Sequence, residues 1–149
     1  MLQENIKRLL RKIVGHEYVD ITFRGNAAIA AALGLVSSDK KVLIPAEGGW
    51  LSYRTLPGTL GLSVEEVHCI DSKIDLRALE MKLKVGNVGA LLYQNPGGYF
   101  ATQPMKEIYV LCQKFGCLVI LDISGAIGTP LWDGKSSNVL VGSFGKGKL

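Results

Sequence analysis

Residues 117–122 read CLVILD, an unbroken apolar run that ends in the carboxylate of Asp122. A run this short, rich in branched side chains and preceded by Gly116, reads as a strand covered on both faces. The sequence on either side supports that reading. Residues 104–115 open on a proline, where the missing N–H costs little, keep helical spacing, and stop at Gly116. Residues 89–94 (GALLYQ) form another apolar strand and run into the turn Asn95-Pro96-Gly97-Gly98. Asp75 stands as the N-cap of a helix through Lys84, with Leu76, Leu79 and Leu83 on one face. Residues 41–45 (KVLIP) and 64–70 (VEEVHCI) read as strands, and residues 51–60 as a short helix broken near Pro57-Gly58. Residues 18–23 (YVDITF) are β-rich and lead through Arg24-Gly25-Asn26 into an Ala-rich helix that stops at Gly34 or soon after. Residues 3–14 place Ile6, Leu9, Leu10, Ile13 and Val14 on one helical stripe, and residues 138–144 give a last strand. Strands alternating with helices specify an α/β fold, a three-layer α/β/α domain around a mostly parallel sheet. In such sheets ligands sit at the carboxyl ends of the strands, where the polar and Gly-rich residues of this chain fall.

Composition narrows the function classes. The chain has 149 residues with 48% hydrophobic side chains, enough for one domain with a sizeable core and far from a disordered composition. A formal net charge of +4 admits an anionic ligand without demanding nucleic acid. The three cysteines, Cys69, Cys112 and Cys117, have neither disulfide-framework nor zinc spacing, so a reducing, cytoplasmic setting is expected. No apolar run reaches the roughly 18 residues of a membrane span, and the charged, amphipathic N-terminus has no signal-peptide core. A helix lying on a membrane surface is the alternative reading of residues 3–14.

Several residues are candidates for chemistry. Asp122 closes an apolar strand, and a carboxylate there must be paired or hydrogen-bonded. It either faces a cationic ligand atom or caps the following loop through backbone N–H groups. Gly25 and Asn26, between a strand and a helix, suit backbone approach to an anion at a helix N-terminus, or simply a turn. Trp50, in a loop after a strand, stacks on an aromatic ligand or joins a core. The end of the chain, residues 142–149, has Gly142, Gly147 and Lys148 at P-loop spacing, but Leu149 stands where that motif needs Ser or Thr. The other readings of that stretch are a Schiff-base lysine with Ser143 near a phosphate, or a basic tail. His16 and His68 have no ligand spacing, and no Ser-His-Asp or Cys-His constellation is present.

Taken in order, these features resemble the large domain of fold-type I pyridoxal-phosphate (PLP) enzymes, the aspartate-aminotransferase superfamily. They are Gly25-Asn26-Ala27-Ala28 opening an Ala-rich helix, a V-L-I-P strand with Trp50 after it, the Asn95-Pro96-Gly97-Gly98 turn, the strand ending in Asp122, and Ser143-Phe144 ahead of Lys148. Within the superfamily the pattern looks most like the DegT/StrS aminotransferases. Gly125 stands where that group has Gln, Asn26 where it has Thr, and its stacking aromatic needs a one-residue shift to reach Trp50. The resemblance implies pyridoxal 5'-phosphate as cofactor. It implies that Lys148, with Lys146 as rival, forms the Schiff base and moves the proton. Asp122 would pair with the protonated pyridine nitrogen, and Trp50 would stack on the ring. Gly25, Asn26, Ala27 and Ser143 would hold the phosphate, and Asn95 would touch the ring oxygen.

It further implies an aminotransferase acting on a small-molecule amino donor and a keto or keto-sugar acceptor, working as a homodimer, with no nucleic-acid or membrane partner and no metal. A PLP-dependent lyase or cysteine desulfurase is the alternative within the superfamily. A non-catalytic α/β binding module is the alternative outside it. Superfamily members run to several hundred residues. Residues 1–149 are therefore expected to be the N-terminal portion of the PLP-binding large domain, without the C-terminal small domain: a truncated or split chain whose sheet is incomplete.

Overall fold

A computed structural model describes residues 2–132 and 134–145. Five strands form one parallel sheet in the order β2-β1-β5-β6-β7: β1 (Lys41–Pro45), β2 (Ser63–Val67), β5 (Val88–Gln94), β6 (Leu118–Asp122) and β7 (Val139–Val141). Helices α2 (Gly25–Leu33) and α3 (Leu51–Thr59) cover one face, and α4 (Leu76–Val85) and α5 (Met105–Lys114) the other. Helix α1 (Leu2–Val14) precedes these layers, with Leu10 and Val14 half-buried. The three-layer α/β/α architecture expected from the sequence is present. Among the described residues no helix is long and apolar enough to cross a membrane.

The pleat sorts the core into two halves. Successive side chains of a strand point to opposite faces. Leu43, Leu91, Tyr93, Val119 and Leu121 therefore pack with Leu79, Leu83 and Ile108 of α4 and α5. Val42, Ile44, Ala90, Leu92 and Ile120 pack with Ile29, Leu33 and Tyr53 of α2 and α3. The same alternation carries Asp122, two residues beyond Ile120, to the α2/α3 side. Gln94, Asp122 and Val141 lie level across β5, β6 and β7, so the carboxyl ends of three strands share one edge.

Four sequence expectations change. Residues 18–23 are not a strand, because none of the five strands of the sheet takes them as a ladder neighbour, and a strand exists only through its neighbour. The run 64–70 divides at His68: β2 joins the main sheet, while β3 (Cys69–Ile70) turns into an antiparallel hairpin with β4 (Lys73–Ile74). Asp71 and Ser72, with φ of 49° and 60°, give the double left-handed turn that suits a two-residue hairpin. Helix α3 continues through Pro57, whose carbonyl accepts from Leu60 and Leu62 and so closes the last turn. Strand β7 stops at Val141 rather than 144, because the Ser143 N–H leaves the ladder and donates to Ser124 Oγ at 2.9 Å.

Other local expectations hold. The Asp75 carboxylate caps α4 by accepting from Arg77 N–H at 2.9 Å. Gly116 ends α5 with a φ of +66°. Asp75→Ala is expected to lower the unfolding free energy by about 1 kcal/mol. Leu91→Ala, at a fully buried site between β1 and β6, is expected to lower it by about 2–5 kcal/mol. Urea denaturation of both variants checks the ranking.

Candidate functional site

The carboxyl ends of β1, β6 and β7 and the start of α2 enclose a cleft of about 220 Å³. Arg24, Gly25, Asn26 and Ile29 line it from α2 and its approach, Trp50 from the loop after β1, Asp122 and Ser124 from β6, and Val141, Gly142 and Ser143 from β7. Five residues singled out in the sequence therefore meet in one place: Gly25, Asn26, Trp50, Asp122 and Ser143.

Asp122 is the electrostatic centre. Its side chain is 2% exposed. Oδ1 accepts from Ser124 N–H at 2.9 Å and Oδ2 accepts from the Tyr53 hydroxyl at 2.7 Å. The loop-capping reading of Asp122 is thus realised on one oxygen, while the carboxylate still borders the cleft. Each carboxylate oxygen can accept more than one hydrogen bond, so these two donors leave acceptor capacity.

The start of α2 brings backbone groups to the cleft. Arg24, at the N-cap of α2, makes no side-chain cap bond. The first turn closes instead through Ala27 and Ala28 N–H donating to Arg24 O, at 3.0 and 3.2 Å. The N–H groups of Gly25 and Asn26 precede any intrahelical acceptor and sit at the positive end of the helix. A Cβ on Gly25 would lie 3.3 Å from Ser143 Cβ, so glycine brings the helix start against β7's exit.

Trp50, at the N-cap position of α3, is 46% exposed and borders the cleft, so it does not join a core. Its seat depends on Gly49, whose φ is +75° and whose missing Cβ would fall 2.6 Å from Tyr53 Cδ2.

Two candidates are placed elsewhere. Ala27 does not line the cleft, and its N–H is spent inside the helix. Asn95 is wholly buried on the opposite face of the sheet, one pleat step beyond Gln94. Its Oδ1 accepts from Gln103 N–H at 2.8 Å and its Nδ2 donates to Leu131 O. Gln103 in turn accepts from Ile74 N–H and donates to Ser72 O, so Asn95 ties loops together rather than reaching toward a ring oxygen. Lys146 and Lys148 lie outside the described residues.

Tyr53, Ser124 and Arg24 were not singled out in the sequence. The signal for Tyr53 was a phenol on a helix face otherwise bound for the core, which needs a polar partner. That for Ser124 was its place two residues after a strand-end aspartate, the spacing of an Asx turn. Among the described residues no group of His, Cys, Asp and Glu could hold a metal. His16 Nε2 donates to Gly134 O at 2.7 Å, a contact between loops. A larger groove of about 860 Å³ between α1, residues 16–23 and β7 shares Arg24, Gly25, Val141, Gly142 and Ser143 with the cleft but not Asp122 or Trp50, and its two carboxylates, Glu17 and Asp20, are exposed rather than buried.

Neither a family model nor a curated protein matches the chain by sequence. Solved structures do match it in shape. Mouse CSAD superposes with a TM-score of 0.81 at 15% identity, over 95% of this chain and 37% of that one. An alanine–glyoxylate aminotransferase from Nostoc sp. gives 0.70 at 22% identity, over 87% of this chain and 36% of that one. The PLP-bound C-S lyase from Staphylococcus hominis gives 0.62 at 14% identity, over 80% and 34%. The fold is that of the PLP-dependent transferase large domain. The chain spans little more than a third of the length of these structures.

Gly49→Ala is expected to destabilise the protein by roughly 1–3 kcal/mol, since it meets both a left-handed backbone and the buried Tyr53 ring. Chemical denaturation measures it. Burial, followed by the charge and the hydrogen bond of Asp122, raises the Tyr53 phenol well above its usual 10.0. The folded protein then holds that proton more tightly than the unfolded chain. Its contribution is whole below about pH 10 and falls as pH rises further. Urea titrations between about pH 9 and 11 should show a stability slope that Tyr53→Phe reduces.

Proposed function

We propose that the cleft holds pyridoxal 5'-phosphate and that the chain is the cofactor-binding part of a PLP-dependent aminotransferase. The observation that carries the reading is the buried Asp122 carboxylate, bordering the same cleft as an exposed tryptophan and an uncapped helix N-terminus. These are the donors and acceptors that a protonated pyridine ring with a phosphate arm requires. Bound there, the cofactor supplies an electron sink for carbanion chemistry at the α-carbon of an amino acid.

The chain's own residues have separate tasks. Asp122 holds a proton on the ring nitrogen, because a buried anion stabilises the cation it faces. Trp50 covers one face of the ring. Gly25 and Asn26 offer backbone N–H groups to the phosphate at the start of α2, with the Ser143 hydroxyl and the Arg24 guanidinium as further donors. Lys148 is the covalent attachment point and the proton shuttle, on the strength of its spacing from Ser143-Phe144. Lys146 is its rival. A small-molecule amino donor and a keto acceptor are the substrates, and a homodimer is the working unit. The DegT/StrS pattern supports the aminotransferase assignment. The free thiols of Cys69, Cys112 and Cys117 suit a reducing, cytoplasmic setting.

A C–S lyase reading stands beside it, favoured by the S. hominis enzyme among the shape matches. The same ring machinery serves both reactions, and fold does not choose between them. For a cysteine desulfurase, none of Cys69, Cys112 and Cys117 is the accessible thiol such an enzyme needs, since all three are buried.

Incubation with pyridoxal phosphate, borohydride reduction and peptide mapping test the proposal. A reduced adduct on Lys148 is expected, and Lys148→Ala should abolish it. An adduct on Lys146 would reassign the attachment point. Absence of any saturable adduct would overturn the cofactor reading. With the adduct in hand, amino-group transfer to a keto acid supports the aminotransferase, and acceptor-independent breakdown of a sulfur amino acid supports the lyase.

A further inference from the structure

We infer that Tyr53 is a positioning residue for the ring nitrogen of the cofactor, acting through Asp122, an inference that rests on the cofactor reading above. Tyr53 is fully buried and does not line the cleft, so it meets the carboxylate from beneath. Its hydroxyl donates to Asp122 Oδ2 at 2.7 Å. A carboxylate that is 2% exposed has lost its water, and the Tyr53 hydroxyl with the Ser124 N–H replaces it. A hydroxyl donating to a carboxylate stabilises the anion and fixes where its oxygens point. With Tyr53 in place, the Asp122 charge is held facing the ring nitrogen. Without it, one carboxylate oxygen loses its buried donor and the charge pairing across the cleft weakens.

The tyrosine also reaches the second ring contact. Its ring packs on Gly49, the residue before Trp50, and its N–H donates to Trp50 O at 2.9 Å. One residue thus touches both sides of the cleft, through its hydroxyl on the carboxylate and through its ring and backbone N–H on the turn that carries the indole. Tyr53→Phe keeps the packing and removes only the donor, so it separates the two tasks.

The test compares two probes, pyridoxal phosphate and its analogue with carbon in place of the ring nitrogen, binding to wild type, Tyr53→Phe, Asp122→Asn and the double variant. Near-ultraviolet circular dichroism verifies that each is folded. Tyr53→Phe is expected to weaken pyridoxal phosphate roughly tenfold or more while leaving the nitrogen-free analogue within about twofold. In the Asp122→Asn background, where no buried charge is left short of a donor, the same change should leave both probes within about twofold. Equal weakening of both probes by Tyr53→Phe would make Tyr53 a packing residue only and overturn the inference. No weakening of either would overturn it too, as would an undiminished loss in the Asp122→Asn background. Wild type that binds neither probe would instead sink the cofactor reading, and the inference with it.

Discussion

A carboxylate buried at the end of an apolar strand dictates much of what surrounds it. Asp122 follows three buried residues of β6, Val119, Ile120 and Leu121, and has almost no access to water. Leaving it unpaired there would cost several kcal/mol, so its neighbours are constrained. A backbone N–H from Ser124 and a phenol from α3 meet the two oxygens. The phenol fixes how close α3 comes to the sheet. That approach leaves no room for a side chain at Gly49, and the turn at Gly49 in turn seats Trp50 at the cleft.

Sheet parity is the second constraint. Asp122 falls in step with Leu118 and Ile120, on the face covered by α2 and α3, where the N-terminus of α2 also lies. Asn95 falls out of step, with Leu91 and Tyr93, on the face covered by α4 and α5. Two polar residues at the ends of adjacent strands are thereby sent to different tasks. One borders the cleft, and the other ties the hairpin, the 95–104 loop and Leu131 together.

Period and punctuation made much of this legible in the sequence. Continuous apolar runs at 41–45, 89–94 and 117–121 marked the central strands, and Asp75, Pro104 and Gly116 marked helix ends. The strand-end location of Asp122 and the Gly25-Asn26 turn point to the cleft from the sequence alone. Partnership across the fold was not legible. Residues 18–23 have strand composition but no neighbour in the sheet, and the break at His68 depends on a hairpin turn made by Asp71 and Ser72, where Ser72 stands in place of the usual glycine. The link between Tyr53 and Asp122 spans 69 residues, beyond the reach of local spacing. The face to which Asn95 points follows from register, which a turn motif alone does not give.

The proposed function rests on Asp122 holding a proton on the ring nitrogen of a bound pyridine cofactor. The most direct measurement is the nitrogen-15 resonance of ring-labelled pyridoxal phosphate bound to the wild-type protein and to Asp122→Asn. A protonated-nitrogen shift in the wild type that persists at pH values where the free cofactor has lost that proton, and that disappears in Asp122→Asn, is expected. A bound ring nitrogen that is unprotonated, or whose shift is the same in both proteins, would contradict the account.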